Sequence, residues 1–444
     1  MGKTRIGLLR GAAIMAVSGG LILALTGSGQ TATPVKQVVT GPVAVYWIDT
    51  TTSSGFSAGA MSGGGRPSMS SMMNMMKGGA QHSMTLKLGS GQAATGEAKG
   101  DHLPPATLDA GNDLPLYFKP VATTPSQPHD DTPSQPQTYE PPKGKILIFW
   151  GCGEHAPAGQ PVVIDLAKIT DPAQRMTLMK QMAPQVTVDT VRPPSPTAYK
   201  SYGEWPNVKS TTTLDSNSSL AGAHTVKANY APDIAFTLDK SQDFLPAIQV
   251  SGNQKSASGA VPLTWAPVAG AKGFVATAIG GAKDVVVMWT SSASQTGWMG
   301  MAPDYLTPGD IERLTASKVL LPGTATACTV PAEVGNAVQG AMYSLTAYGG
   351  ETNLSYPARP ADPKVAWNIQ WTTKIRYRSQ TGGMLGQEMG GGMGGMFGAG
   401  QDDAASQSSS GDTGQPATGD DKKKKKKGGL FGEMLKQGVG GFIP

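Results

Sequence analysis

The strongest constraint on the fold is a strict alternation of side chains over residues 365–378. One set of alternate positions is largely apolar, namely Val365, Trp367, Ile369, Trp371, Thr373, Ile375 and Tyr377. The positions between them are mostly polar, namely Ala366, Asn368, Gln370, Thr372, Lys374, Arg376 and Arg378. Successive side chains of a β-strand point to opposite faces, so a period of two held over this length predicts one long, half-buried strand. The chain must therefore build a sheet with one covered face.

A second segment, residues 261–274, predicts two short strands joined by a turn. The first strand ends at Trp265, Pro267 and Gly270 supply the turn, and Phe274 opens the second strand. An aromatic residue on each arm of such a unit is typical of a β-sandwich core. We predict further elements in this half of the chain as strands over residues 285–289, 325–330 and 341–347 and a short helix over 307–314.

A resemblance to fibronectin type III modules is carried by the run Leu263-Thr264-Trp265-Ala266-Pro267-Val268-Ala269-Gly270-Ala271-Lys272-Gly273-Phe274. In that family a core Trp precedes a Pro-rich turn and an aromatic residue opens the next strand. Two later runs, Leu321-Pro322-Gly323-Thr324 and residues 342–350, also look like the family's later strands. The chain departs from the pattern because the Leu-Pro-Gly-Thr turn does not directly precede the Tyr strand, and because the helix at 307–314 is foreign to it. The resemblance implies an immunoglobulin/fibronectin III-like sandwich, which hosts many binding functions and implies no catalysis.

The first half of the chain carries strand signals but resembles no family that we can identify. β-branched and aromatic runs predict strands over residues 42–49, 83–88, 145–150 and 161–166. The run at 145–150 is apolar without alternation, which predicts a strand covered on both faces. The predicted fold class is therefore mainly β with two β-rich domains, an N-terminal domain over residues 33–245 and the fibronectin III-like domain over residues 246–378.

Glycine and proline, 59 and 34 residues, are concentrated in particular segments. They predict a Pro-rich loop over residues 121–143 and a disordered tail over residues 379–444, first Gly/Met-rich and then polylysine. The net charge of +5 depends on that polylysine run, because removing its six lysines from the 36 Lys and Arg leaves 30 against 31 Asp and Glu. A near-neutral folded part gives no basis for nucleic-acid binding, and we expect none.

The N-terminus has the pattern of an export signal. Lys3, Arg5 and Arg10 precede an apolar stretch over residues 11–26, and small residues follow it. This pattern predicts a signal peptide over residues 1–32 and hence an exported protein of the periplasm or cell envelope. The alternative is an uncleaved N-terminal anchor.

Methionine is the unusual chemical resource of the chain, with 21 residues. The segment 67–77 predicts a short helix with four Met side chains on one face, near a histidine. Thioether and imidazole groups can hold Cu(I) in an oxidising compartment, so this set is a candidate metal site. Its members are Met69, Met72, Met73, Met76 and His82. The alternative is that the Met face packs or contacts a partner, and this alternative requires no cofactor.

One loop combines a potential nucleophile with acid–base groups, since Cys152, Glu154 and His155 lie together after the strand at 145–150. Cysteine catalysis needs a His directed at the sulfur and a third group that orients the His, which neighbours on one loop seldom provide. A structural turn is the alternative. Cys152 and Cys328, the two cysteines of the chain, either form a disulfide across its two halves or are buried singly. Phosphate-loop, dinucleotide and hydrolase motifs do not occur in the sequence.

The polylysine run is followed by a short amphipathic segment, which predicts a surface-docking element. A basic run beside a small apolar face attaches weakly to anionic lipid or lipopolysaccharide. The candidate residues are Lys422, Lys423, Lys424, Lys425, Lys426, Lys427, Leu430, Phe431, Met434 and Leu435. The alternatives are a solvated charge run and binding to an acidic groove of an envelope protein.

Taken together, these patterns predict an exported, envelope-associated binding or structural protein without catalytic activity. A periplasmic copper- or metal-binding protein is the first alternative, and a Cys-dependent enzyme is the second.

Overall fold

The computed structural model describes residues 36–55, 79–118, 144–168, 186–189, 191–208, 210, 212–282, 284–296, 302–338 and 340–387. Within them the protein is mainly β, as the sequence predicts. The strands, in chain order, are β1 (Val39–Thr40), β2 (Ala44–Gly55), β3 (Gln81–Ser90), β4 (Gly100–Leu103), β5 (Leu114–Leu116), β6 (Lys145–Trp150), β7 (Val162–Asp165), β8 (Ser201–Trp205), β9 (Gly222–Ala228), β10 (Ala231–Leu238), β11 (Val250–Gly252), β12 (Val261–Trp265), β13 (Gly273–Ala282), β14 (Val285–Thr290), β15 (Leu321–Pro322), β16 (Ala327–Val330), β17 (Ala341–Tyr356), β18 (Trp367–Asn368) and β19 (Trp371–Met384).

Helical structure in these residues is sparse. The α-helices are α1 (Pro308–Ala316) and α2 (Ala332–Ala337), and single 3-10 turns occur at Ala106–Leu108, Leu166–Lys168 and Lys240–Gln242. Helix α1 forms where the sequence predicts it, because the Thr307 hydroxyl accepts a hydrogen bond from the Asp310 amide at 3.1 Å. Neither α-helix of the described part of the chain has the length and apolar character that a bilayer crossing requires.

One large sheet contains strands from both halves of the chain. Its order is β7-β6-β14-β13-β17-β19-β2-β3-β8, and β15 pairs with β13 beside this path. All twelve residues of β2 pair in parallel with β19. Strand β6 likewise pairs in parallel with β14 along its whole length. The boundary predicted near residue 246 therefore falls inside a continuous sheet.

The pairing of the edges explains this continuity. The strands that follow residue 246 would by themselves end at β14 on one side and β19 on the other. Such edges present unpaired backbone groups, which folded proteins cover. Here β6 covers the β14 edge and β2 covers the β19 edge. Backbone pairing of this kind leaves no signature in side-chain patterns, so the sequence predicts the strands but not their partners.

The remaining strands form three smaller sheets, which have the orders β10-β9-β4-β5, β11-β12-β16 and β1-β18. The first two of these sheets share one core with the large sheet. That core contains Tyr46 and Leu86 of the large sheet, Val226 of the four-stranded sheet, and Trp265 of the three-stranded sheet. Strand β6 is covered on both faces, as predicted, since Phe149 lies in this core and Ile148 lies in a second apolar cluster with Met288.

The long strand predicted over residues 365–378 differs from the structure at both ends. The alternation is correct from Trp371 to Tyr377, where every second residue is buried, and β19 continues beyond residue 378 to Met384. Residues 367–368, however, are not part of β19. They form the separate strand β18, which pairs with β1. The break lies at Gln370, whose amide donates to the Tyr356 carbonyl and whose carbonyl accepts from the amides of residues 43 and 44. Val365 is consequently exposed.

Several predicted segments lie outside the described residues. They are the signal peptide over 1–32, the Met-rich helix over 67–77, the Pro-rich loop over 121–143 and the chain from residue 388 onward.

Candidate functional site

Three contacts connect the loop after β6 to residues in and next to the three-stranded sheet. Cys152 forms a disulfide with Cys328 of β16. The Glu154 carboxylate accepts a hydrogen bond from the Ser258 hydroxyl. The His155 ring lies 3.1 Å from a carboxylate oxygen of Glu333, and both side chains are exposed. The three residues that the sequence suggests for cysteine catalysis, Cys152, Glu154 and His155, thus each have a partner. Cys152 has no free thiol.

Glu333 anchors the end of this loop. One of its carboxylate oxygens accepts a hydrogen bond from the Ala156 amide at 2.8 Å, and this bond lowers the pKa of the Glu333 carboxyl, with His155 contributing further. The pair therefore closes a surface turn. It brings no nucleophile, base and orienting group together in the way that covalent catalysis requires.

His82 is the member of the predicted copper set that the structure describes. Its Nδ1 atom lies 2.9 Å from the Ser218 carbonyl, and its ring stacks on Phe244 with centroids 4.1 Å apart. Burial lowers the pKa of His82, so the ring is neutral, with its proton on Nδ1 and the lone pair on Nε2. Met69, Met72, Met73 and Met76 lie outside the described residues, as do the tail residues Lys422–Lys427, Leu430, Phe431, Met434 and Leu435. Among the described residues, no three His, Cys, Asp or Glu side chains are placed to hold a metal ion.

A buried polar chain, which no sequence pattern predicts, links the large sheet to the four-stranded sheet. The Tyr46 hydroxyl lies 2.7 Å from Nδ1 of His102, and Nε2 of His102 lies 3.2 Å from Nδ1 of His224. Nε2 of His224 lies 2.7 Å from the Leu220 carbonyl. These side chains are fully buried.

The partners determine the proton positions in this chain. Because a carbonyl only accepts, His224 carries its proton on Nε2, and its Nδ1 accepts from Nε2 of His102. His102 then accepts at Nδ1 from the Tyr46 hydroxyl. Burial, with His224 nearby, lowers the pKa of His102 to about 3, and burial also lowers the pKa of His224. Both rings are neutral, and every ring nitrogen has a hydrogen-bond partner. This buried series of side chains is therefore a structural link between the two sheets.

An open cleft lies beside helix α1 in the described part of the chain, and we name it the α1 cleft. It has a volume of about 600 Å³, and its apolar lining includes Pro308, Ile311 and Ala316. On its other side lie Gly349 and Gly350 of β17. The helix is held over the sheet because Ile311 packs in one apolar cluster with Val275 of β13 and Tyr348 of β17.

The glycine side of the α1 cleft is a β-bulge. The pairing of β17 with β19 passes from Tyr348 opposite Arg378 to Glu351 opposite Arg376, so two glycines face one residue. Gly350 has φ +79°, a conformation that glycine adopts without strain. At Gly349 a Cβ atom would approach both Leu245 and Tyr377 to 2.9 Å. A side chain is thus disfavoured at both positions, at Gly350 by its backbone conformation and at Gly349 by Leu245 and Tyr377, and these two glycines line the cleft.

Charged groups of both signs line the α1 cleft. They are Lys272, Glu312 and Glu351. Glu351 also pairs with Lys374 of β19, which in turn lies 5.5 Å from the ring centroid of Trp47. The Thr315 hydroxyl is buried at the cleft and has no hydrogen-bond partner within the described ranges. An apolar lining with a few polar groups is the usual construction of a ligand site.

Sequence reasoning missed the α1 cleft, although one signal pointed to it. The helix at 307–314 interrupts the order of sandwich strands, and insertions on a rigid scaffold commonly carry function. Lys272 and the bulge glycines are far from that insertion in the chain, so their convergence is a tertiary result.

The described architecture is a mainly β protein of several sheets with a two-sided cleft. No protein-family model, curated protein or solved structure with which we compared the chain matches it.

Proposed function

We propose that the protein is an exported, envelope-associated binding or structural protein without catalytic activity. The observation that carries this proposal is the Cys152–Cys328 disulfide. Disulfides persist in oxidising compartments, which supports export and agrees with the basic and apolar N-terminus. The same bond occupies the sulfur that a Cys-dependent enzyme would need as its nucleophile.

We also infer that residues 246–378 form a fibronectin III-like sandwich. Strand β12, which carries Trp265, lies between β11 and β16, while β13, which carries Phe274, lies between β14 and β17. The turn at 266–272 therefore joins two different sheets. The rings of Trp265 and Phe274 contact each other between these sheets, with their centroids 5.5 Å apart. Two sheets with an aromatic contact across the core support the resemblance.

Localisation and thiol state test the proposal together. Cells that express the full chain are fractionated, and free thiols are labelled with a maleimide of known mass before and after reduction. We expect the chain in the envelope fraction, unlabelled before reduction and doubly labelled after it. The Cys152→Ser/Cys328→Ser variant is the control that takes no label. A cytoplasmic chain with two reactive thiols would contradict export.

Within this proposal the α1 cleft is the binding site. Its mixture of an apolar lining, two glycines and charges of both signs fits a short polar segment such as a peptide that carries both signs of charge. Ala316→Trp places an indole in the cleft from an exposed helix position, and Val208→Trp adds the same group at an exposed position elsewhere. We expect photo-cross-linking to envelope components to fall with Ala316→Trp and to stay unchanged with Val208→Trp. Equal cross-linking by both variants would contradict the assignment of the α1 cleft as the binding site.

We further propose that the tail tethers the protein to an anionic surface through Lys422–Lys427 and the apolar residues that follow. Each lysine contributes about 1 kcal/mol near an anionic membrane surface. Cutting the chain after Asp421 is therefore expected to weaken binding to anionic vesicles at low ionic strength.

A further inference from the structure

Exposed apolar side chains are concentrated at one place on the described surface. Of the seven large apolar residues that are exposed there, four lie around the β1–β18 pair. They are Val38, Val39, Tyr356 and Val365, with exposed fractions of 63%, 49%, 57% and 51%. We name these four residues, together with Trp367, the ribbon patch. Scattered single apolar residues are ordinary on a protein surface, whereas a contiguous group marks an interaction site.

The exposed residues of the ribbon patch lie along and beside the β1–β18 pair. Strand β1 pairs in parallel with β18, and Val39 lies opposite Trp367. Val38, which precedes β1, and both residues of β1 are exposed, so this end of the strand pair is open to solvent. Such a short strand pair buries little of its apolar surface, so these side chains are available to contact another surface.

Hydrogen bonds hold the ribbon patch in one shape. The Gln37 side-chain amide donates to the Val365 carbonyl at 3.0 Å, and its oxygen accepts from Nε of Arg359 at 2.9 Å. The indole N–H of Trp367 donates to the Pro357 carbonyl at 3.0 Å, and the Arg359 guanidinium lies 5.5 Å from the ring centroid of Trp367. The apolar groups are therefore presented by a rigid frame and lose little conformational freedom on binding.

The charges around the patch favour an anionic surface. Lys36, Arg359 and Lys364 are exposed beside it, while the acid of this segment is Asp362, whose carboxylate accepts from the Lys364 amide at 2.9 Å. Aliphatic side chains, a Tyr and a Trp with cations around them are the combination that settles at the boundary between lipid headgroups and acyl chains.

The place of the patch in the chain points to the same occupant. Val38 follows the basic and apolar N-terminal stretch within about a dozen residues, a span of at most roughly 40 Å. As long as that stretch remains attached, the membrane that receives it during export is therefore within reach of the ribbon patch. We propose that the ribbon patch docks the protein peripherally on an anionic lipid bilayer, with the valines and aromatic rings at the acyl boundary and the cations among the headgroups. This inference rests on the proposed envelope location, but the docking is a property of the folded protein and is testable separately.

Vesicle co-sedimentation of the full chain tests the proposal. The probes are phosphatidylglycerol/phosphatidylethanolamine vesicles, with phosphatidylcholine vesicles for comparison. Val38→Ser/Val39→Ser/Val365→Ser removes the apolar groups, and the matched control Val163→Ser/Val191→Ser/Val208→Ser removes three exposed valines elsewhere. All proteins are also made with Lys422–Lys427 changed to Gln, so that binding through the tail is subtracted.

We expect the ribbon variant to bind anionic vesicles about tenfold more weakly or worse, because one buried valine is itself worth about a factor of ten. The control variant is expected to bind like the unaltered chain, and Tyr356→Ser to weaken binding independently. Unchanged thermal melting shows that the variants are folded. The proposal is overturned if ribbon and control variants bind equally with the lysines removed, or if size-exclusion chromatography shows that the patch instead joins two copies of the chain. Vesicle binding by a protein that fractionates to the cytoplasm would contradict export and leave the docking intact.

Discussion

At the scale of single residues, Trp265 lies at the contact between two sheets. It is almost fully buried and packs against Phe274, but its indole N–H finds no hydrogen-bond partner within the described residues. We therefore expect Trp265→Ala to lower the free energy of unfolding by about 3–5 kcal/mol through the cavity that it leaves. Trp265→Phe is expected to cost clearly less, because it removes the unpaired polar atom while keeping most of the ring.

Thermal and urea unfolding of both variants measure this difference. Trp367→Ala is the matched control, since that ring lies at the surface of the β1–β18 pair. A melting temperature that does not change with Trp265→Ala would contradict the sandwich assignment.

The buried histidines make stability depend on pH. In the unfolded chain a histidine has a pKa near 6.5, whereas the folded pKa of His102 is about 3. Between these values the unfolded state binds more protons, so the free energy of unfolding falls as the pH drops, by at most about 1.4 kcal/mol per pH unit for each such histidine. Above pH 6.5 this contribution is fully present.

Urea unfolding between pH 7 and pH 5.5 checks this expectation in a range above most carboxylate titration. His102→Gln keeps a neutral hydrogen-bonding side chain that does not titrate, and we expect a shallower pH slope from it. Equal slopes for the unaltered chain and His102→Gln would show that the buried pair does not set the dependence.

At the scale of elements, the parallel contact between β2 and β19 is reinforced by an ion pair. The Arg376 guanidinium donates to both carboxylate oxygens of Asp49, at 2.6 and 2.7 Å, and both side chains are largely buried. The guanidinium also lies between Trp47 and Tyr305, 4.7 and 4.3 Å from their ring centroids. Among the described residues, this arrangement ties the first long strand, β2, to the last one, β19.

Removing one partner of this pair leaves a buried charge without compensation. We expect Asp49→Ala to lower the free energy of unfolding by about 3 kcal/mol. Asp304→Ala, which removes a carboxylate that is 80% exposed and pairs with Arg378, is expected to change it by less than about 1 kcal/mol. The double change Asp49→Leu/Arg376→Met should recover much of the loss. Equal effects of Asp49→Ala and Asp304→Ala in urea unfolding would refute the distinction between the two pairs.

At the scale of the whole molecule, the described residues act as one structure because strands and a disulfide cross the predicted domain boundary. Strands β2 and β6 extend the sheet at two edges, and Cys152 after β6 is bonded to Cys328 in the three-stranded sheet. The ribbon patch lies near the beginning of β19. The described residues end at residue 387, just after the other end of that strand. The fourteen residues of β19 span about 45 Å, so these two regions lie at opposite ends of this strand.

The local structure of this protein was determined largely by its sequence. Alternation identifies the buried face of β19 from Trp371 to Tyr377, an unbroken apolar run identifies β6 as covered on both faces, and Thr307 identifies the start of α1. These features depend on interactions among neighbours in the chain, which residue order expresses directly.

Only the tertiary structure decided which strands pair, which cysteines bond and where the α1 cleft lies. Val365 continues the alternation in the sequence yet lies outside β19, because the chain breaks its pairing at Gln370 to form the β1–β18 pair. Lys272, Glu312 and Gly349 meet at the α1 cleft from three distant segments, and His102 meets His224 across 122 positions. Backbone hydrogen bonds and contacts over such separations depend on how sheets are ordered and packed, and this order is a property of the whole core rather than of any local pattern.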